Sequence, residues 1–403
     1  MNAPLEGIRV VELASYVAVP AAGTLLADLG ADVVKVEVPL GEIYRYALPQ
    51  FLGYKTDFAE APQFHMDNRG KRSLALDISL PAARAALQAL FDRADIVLTN
   101  MLPRRLEKFG LDPATQRARR PELIFAMLNG FGTKGPEASS PAFDYIAYWA
   151  RTGFMDTLHE PDAPPAFQRP GIGDHAAALA LVAGVLAALR MRDQNGVGQV
   201  VETNLMHTGF YIQGNDASCS LVAKQDPPRH DRRKPINPLW NHYPTKDGRW
   251  LFLSMIDADR FFGKLCAAIG RPELAEEERF TGMLNRLANS EEVTGHLIEA
   301  FASKTLAEWE ALLDGHEFIW APVRTLSEAV EDPQAHLNGM FPTVEHPTLG
   351  AFRTISAPVQ LSGYAMASNR PGPALGAHSR EVLAEAGLSA TEIAAALGES
   401  TEP

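Results

Sequence analysis

With 403 residues, 46% of them hydrophobic and 21% charged, the chain has apolar material for a large core and more than one domain. A formal charge of -12 argues against a nucleic acid or an anionic membrane as partner, because neutralising phosphates takes a basic surface. Two cysteines, Cys219 and Cys266, are too few for a disulfide framework or a zinc site, so no metal is expected and a reducing cytoplasm is the expected compartment.

The N-terminal stretch lacks the basic-then-apolar pattern of a signal peptide. Ile8 to Leu13 reads as a strand, Ala21 to Leu29 as a helix ended by Gly30, and Asp32 to Glu37 as a second strand. The rhythm continues with the strand Ser73 to Asp77, the helix Ala82 to Arg93 and the strand Asp95 to Asn100. Helical patches follow near Arg104 and Thr115, then the strand Leu123 to Leu128. Such alternation predicts an α/β protein with a parallel sheet covered by helices. Ligands on these sheets bind where the carboxyl ends of the strands open into a crevice. The first strand-to-helix turn, Ser15-Tyr-Val-Ala-Val-Pro20, has neither G-x-G-x-x-G nor a Walker loop, which argues against a dinucleotide dehydrogenase.

Gly171 and Gly173 free the backbone just before Asp174, and an alanine-rich helical run begins just after it. Asp174 therefore reads as the N-cap of a buried helix, where free N–H groups and the dipole favour a negative charge. Taken alone this is a structural cap; a carboxylate beside glycines that admit a close substrate is equally equipped for nucleophilic attack. The longest apolar run, Ala176 to Leu189, is short for a bilayer span and suits a core helix of a soluble protein. Asn195-Gly-Val-Gly198 turns into the strand Gln199 to Glu202. The polar, proline-broken segment 225–238 reads as a linker. A hairpin from His242 to Leu253 turning at Asp247-Gly248 opens a smaller unit. Helical runs then reach about Leu313, strand-like pieces lie near Val323 and Phe352, and a last helix starts at Ser379. The expected division is a large domain over 1–224, the linker, a small domain over 239–320, and a return segment over 321–403.

Together these residues resemble the class III CoA-transferase family, which includes formyl-CoA and carnitine CoA-transferases and the related α-methylacyl-CoA racemases. The matching pieces run nearly end to end: Leu25 to Glu37, Asn68 to Asp77, Gly173-Asp174, Asn195 to Gln199, Thr245 to Trp250, Ala321-Pro-Val323 and Leu375 to Leu383. Each is weak alone, but their order and spacing are specific. The resemblance implies a Rossmann-like large domain built from both chain ends, a smaller α+β domain, and a homodimer of two interlocked rings. It implies coenzyme A, as acyl-CoA, and a small carboxylic acid as the partners. Asp174 would be the nucleophile, passing through a mixed anhydride and an aspartyl-CoA thioester. The CoA-contacting positions would be Val17, Ala18, Leu76, Asn100, Met101, Arg105, Lys108 and Phe109. Helical spacing adds Arg104, which shares a face with Lys108; a bare charge run would be a solvated face, but following a strand end in this family context Arg104, Arg105 and Lys108 are expected to bind the CoA phosphates.

Three departures stand out. Leu102 replaces a basic residue common in the family's Asn-Phe-Arg-Pro motif, so Arg104 or Arg105 is expected to substitute. Ser79 stands where formyl-CoA transferase has a lysine near the adenosine. The glycine-rich shielding loop of that enzyme is replaced by Arg233 to Asn241. The racemase branch has a histidine where this chain has Phe143, and its supporting glutamate is replaced by Asp257. Phenylalanine moves no proton, so the usual racemase route is disfavoured. His175 reads as a local or structural histidine. Phe143, Tyr148 and Trp149 are candidates for an acyl pocket, equally readable as helix core; Trp240, His242 and Tyr243 are secondary candidates. The expected activity is CoA transfer between an acyl-CoA and a carboxylic acid. The alternatives are an isomerase at the α-carbon, or a non-catalytic CoA-binding protein.

Overall fold

In the computed structural model, which describes residues 3–399, the β-branched runs of the first half become one parallel sheet. Its strands are β1 (Arg9–Leu13), β2 (Asp32–Glu37), β3 (Arg72–Ala75), β4 (Ile96–Thr99), β5 (Ile124–Asn129) and β6 (Val200–Asn204), in the order β3-β2-β1-β4-β5-β6. β4 and β5 are buried along almost every residue, as strands covered on both faces must be. The helices are α1 (Ala18–Asp28), α2 (Pro62–Asn68), α3 (Pro81–Phe91), α4 (Pro103–Phe109), α5 (Pro113–Arg119), short α6 (Phe154–Thr157), long α7 (Ile172–Asn195), α8 (Leu205–Ile212) and α9 (Gly214–Ala223). Proline opens α2, α3, α4 and α5, at the position where its missing N–H has no intrahelical partner to lose.

One face of the sheet is covered by α1 and α7, with Val19, Ala22 and Leu26 packed among Ala177, Leu181 and Val185. Small side chains let these helices approach closely, and a Cβ at Gly184 would lie 2.7 Å from Val201 of β6. By length and composition α7 could cross a membrane; here its inner residues are core. The other face is covered by α3, α4 and the two C-terminal helices, Ser379–Glu385 and Ala390–Ala396. The chain thus returns to its own first domain, because Val382, Leu383 and Ile393 complete a core that the N-terminal half leaves open. A small hairpin, β10 (Thr343–His346) with β11 (Gly350–Arg353), lies in the same unit.

Among the described residues, that first unit comprises 3–156, Phe167–Gln225 and 333–399. Thr157–Ala166 and Asp226–Asp332 form a second unit. Its antiparallel sheet, in the order β7-β8-β9, is built from β7 (Trp240–Pro244), β8 (Trp250–Ser254) and β9 (Trp320–Pro322). Helices pack on it around Tyr243, Phe301 and Trp309. The segment read as a linker is held here: Asn241 of β7 donates to the Arg232 carbonyl at 2.9 Å, and Ser290 donates to the Pro235 carbonyl. Residues up to Asp332, read as a return segment, also lie in this unit, since β9 completes its sheet.

Candidate active site

The strand order reverses direction between β1 and β4, and the crevice at their carboxyl ends is where such sheets bind ligands. The two loops there are tied together. Thr99 Oγ1 donates to the Leu13 carbonyl at 2.8 Å, and the Asn100 carboxamide accepts from Ser15 N at 3.2 Å and donates to Ser15 O at 2.7 Å. Tyr16 sits in the left-handed region, φ 67, a strained backbone for a bulky residue. It is held there by its N–H, which donates to Glu42 Oε2 at 2.6 Å. Glu42 in turn pairs with Lys35 at 2.6 Å, Lys35 with Glu12 at 3.1 Å, and Glu12 with Lys71 at 2.7 Å. Glu12, Lys35 and Lys71 are fully buried side chains, tolerable because each charge has a partner. A Cβ at Gly23 of α1 would stand 2.1 Å from Glu12 Oε2, so glycine there lets the helix pass over the network.

These loops wall a cavity of about 480 Å³. Of the residues expected around CoA, Val17, Ala18, Leu76, Asn100, Met101 and Arg105 line it. Arg104, Lys108 and Phe109 do not. Of the three basic residues on α4, only Arg105 is turned to the cavity; Arg104 points a helical step of about 100° away. Arg104, Arg105 and Lys108 are all exposed, and the Phe109 ring packs beneath Lys108 and Arg84. Sequence reading passed over Tyr16 and Glu42, whose only local signal was their place in a strand-to-helix loop.

Asp174 lines the same cavity, half-buried. It is not the N-cap. Gly171, φ 82, caps α7, and Asp174 is the third helical residue. The free backbone donors are served from elsewhere: Asp144 Oδ2 accepts from Gly173 N at 3.1 Å. A Cβ at Gly173 would lie 2.6 Å from the Tyr148 ring and 2.9 Å from Asp144, so only glycine allows this approach. Asp174 is thereby released from capping. Burial, with Asp144 and Asp67 nearby, pushes its pKa up to about 7, against the lowering influence of His175. Burial likewise raises Asp144, against the backbone N–H groups it accepts.

The aromatic candidates separate. Phe143 is 51% exposed and lines the cavity, edge-on to Tyr16 with ring centroids 5.1 Å apart. Tyr148 and Trp149 are 2% and 4% exposed and belong to the core under α7, with Trp149 stacked on Phe154. As acyl-pocket walls they are corrected to core: the π-helical turn Tyr145–Ala150 sets Tyr148 against Gly173 and Trp149 against Phe154. Trp240 is on β7 in the second unit, half exposed; Tyr243 is core of that unit, and His242 lies 3.6 Å from Glu160.

Away from the cavity, Glu60, His65 and His346 bring three possible ligand atoms within 4.8 Å of one another. Their hydrogen bonds speak against a cation. His65 Nδ1 accepts from Gly372 N, and His346 Nδ1 from Thr348 N and Leu349 N. In each neutral ring the proton then sits on Nε2, which leaves no lone pair there for a metal.

The family model described as CoA-transferase family III matches residues 5–379. The chain is 33% identical over 389 residues to the (R)-2-hydroxy-4-methylpentanoate CoA-transferase of Clostridioides difficile, covering 96% of this chain and 97% of that protein. It is 31% identical to the cinnamoyl-CoA:phenyllactate CoA-transferase of Clostridium sporogenes, covering 96% and 94%. Among solved structures, a CaiB/BaiF family protein from Brucella suis superposes with a TM-score of 0.84 at 31% identity, covering 96% of this chain and all of that one. By family match, identity and fold alike, this chain belongs to CoA-transferase family III.

Proposed function

We propose that this protein transfers CoA from an acyl-CoA donor to a free carboxylic acid with Asp174 as the nucleophile. The observation that carries the mechanism is a half-buried carboxylate, released from capping by Asp144, facing a cavity between β1 and β4. Its ionised form attacks the thioester carbonyl, giving a mixed anhydride and CoA thiolate. The thiolate then attacks the aspartyl carbonyl, forming aspartyl-CoA and freeing the donor acid. The acceptor carboxylate attacks that thioester to make a new anhydride; thiolate adds to the acceptor's acyl carbon, and Asp174 leaves as carboxylate. A desolvated carboxylate of raised pKa suits a group that must attack and later depart. Phe143, where an isomerase needs a proton carrier, counts against reaction at the α-carbon. The two relatives that act on 2-hydroxy acids support such acids as first acceptors to try. Incubating the protein with labelled carboxylates and a panel of acyl-CoAs should yield exchanged CoA esters; α-proton exchange in D2O without CoA exchange would overturn the reading.

Arg105 is the basic residue that α4 presents to the cavity, and we assign it to the CoA phosphates. A charge-assisted contact of this kind contributes about 1.5–3 kcal/mol, so Arg105→Ala should weaken CoA binding about tenfold or more. Arg104→Ala and Lys108→Ala should leave calorimetric affinity nearly unchanged. Equal losses for all three would return the phosphates to the outer face.

We further infer an interlocked homodimer working in the cytoplasm. Its support is apolar surface on consecutive helices: Leu179, Leu186 and Met191 of α7, Tyr211 and Ile212 of α8, and Leu221 and Val222 of α9 are all exposed in the single chain. Patches of this extent mark association. Light scattering should give twice the mass of the 43.8 kDa chain; a monomer at micromolar concentration would remove the dimer. Cys219 and Cys266, both free thiols, fit a reducing compartment.

A further inference from the structure

The residue after Asp174 is His175, whose imidazole reaches across to α2. Its Nε2 lies 2.9 Å from Asp67 Oδ1. The carboxylate is almost wholly buried, the imidazole 38% exposed, and Asp67 Oδ2 has no hydrogen-bond partner. A buried carboxylate with one oxygen unserved needs a full positive charge at the other. A neutral ring would leave that charge uncompensated. The Gly171 carbonyl, on the turn that starts α7, also favours a protonated ring.

We propose that His175, fixed as an imidazolium by Asp67, is a positioning residue that supplies the charge keeping Asp174 ionised and nucleophilic. This rests on the reading of Asp174 given above. The groups around Asp174 come from four elements. Asp144 and Tyr145 stand at the π-helical turn, with Arg169 facing Tyr145; Asp67 lies on α2, Tyr44 on the 3-10 turn Ile43–Tyr46, and His175 on α7 itself. Burial, with Asp67, Asp174, Glu42 and Asp144 around it, pushes the Tyr44 hydroxyl well up, so it stays a neutral phenol. Of the groups that act directly on Asp174, His175 alone can carry a positive charge. Burial pulls the imidazole down, but Asp67, by hydrogen bond and charge, outweighs it and the net shift is upward. Taking the cation away leaves Asp174 facing burial and two carboxylates without opposition, so its pKa must rise.

The test is the pH profile of kcat/KM for transfer. In His175→Gln the acid limb should move up by about one pH unit, a roughly tenfold loss at pH 6 that fades by pH 9. His175→Lys, which keeps a charge at the position, should hold the limb near that of wild type. In wild type labelled with 15N-histidine, the two His175 ring nitrogens, assigned by their loss in His175→Lys, should both be protonated at pH 7. A neutral His175 ring at that pH would overturn the proposal, even if His175→Gln fails to fold. So would an unmoved limb in a destabilised His175→Gln, which would make the pair a brace between α7 and α2. A pH-independent loss that lysine does not restore would make His175 a proton carrier and also overturn it. Asp174→Asn is run alongside: transfer surviving there removes the nucleophile reading, whereas transfer lost there with an unmoved limb in His175→Gln removes this inference alone.

Discussion

Asp174→Asn should lower CoA transfer by about 10⁴-fold or more, the scale seen when a covalent nucleophile is removed. CoA affinity should stay within a few-fold, because the cavity residues assigned to CoA are untouched. The fold should become more stable, which distinguishes this residue from a cap. Asp144, not Asp174, satisfies the free N–H of Gly173, so asparagine costs no cap. It also removes a charge that the fold holds at a raised pKa, about 7 against an ordinary 3.8. The sign follows. The folded state holds the proton more tightly than the unfolded chain, so wild type loses stability as pH rises from about 4 to 7. Asparagine has no such loss. The two proteins should melt together near pH 4, and the variant should melt higher above pH 7. After screening at a partly exposed site, ~1–2 kcal/mol is expected, or a few degrees in Tm. Hydroxylamine should trap an aspartyl adduct in wild type only. A folded variant that transfers at the wild-type rate, or one that melts lower at pH 8, would return Asp174 to a structural role.

Glu12→Gln should have the largest effect on stability. Glu12 bridges Lys35 and Lys71, and all three side chains are fully buried. Glutamine keeps the shape but leaves Lys71 without its ion-pair partner and Lys35 with Glu42 alone at ion-pair distance. Breaking a buried pair in this way costs about 3–5 kcal/mol, a large part of an ordinary domain's stability. A fall in Tm of roughly 10 °C is expected in a thermal melt. The damage should reach the site. Lys35 positions Glu42, and Glu42 holds the strained Tyr16 backbone at the cavity. CoA affinity should therefore drop well below the melting temperature. A variant that melts within a degree of wild type and binds CoA normally would show that the loop is held by other contacts.

The strands could be read in the sequence because burial on both faces requires continuous β-branched runs: Val33-Val34, Ile96-Val97 and Ile124-Phe125 report their surroundings locally. The end-to-end succession of family pieces also needed no structure, since it depends on order and spacing alone. Local pattern is silent, however, on pairings between distant positions. The cap of α7 comes from Asp144, 29 residues upstream, and the partner of His175 is 108 residues away; neither leaves a periodic trace. Helical spacing groups Arg104 with Lys108, but which side of α4 meets the cavity depends on how that helix docks on the sheet, and docking set the exposed Arg105 against it. The aromatics of 143–149 read alike as wall or core; the π-helical turn divided them, leaving Phe143 in the cavity and burying Tyr148 and Trp149. The proline-broken segment 225–238 looked like a linker because local polarity and chain-breaking residues cannot reveal that Asn241 and Ser290 hold its backbone. Sequence determined the elements and the family. Tertiary packing decided which charges face one another, because the field at a carboxylate is set by neighbours in space, whatever their distance along the chain.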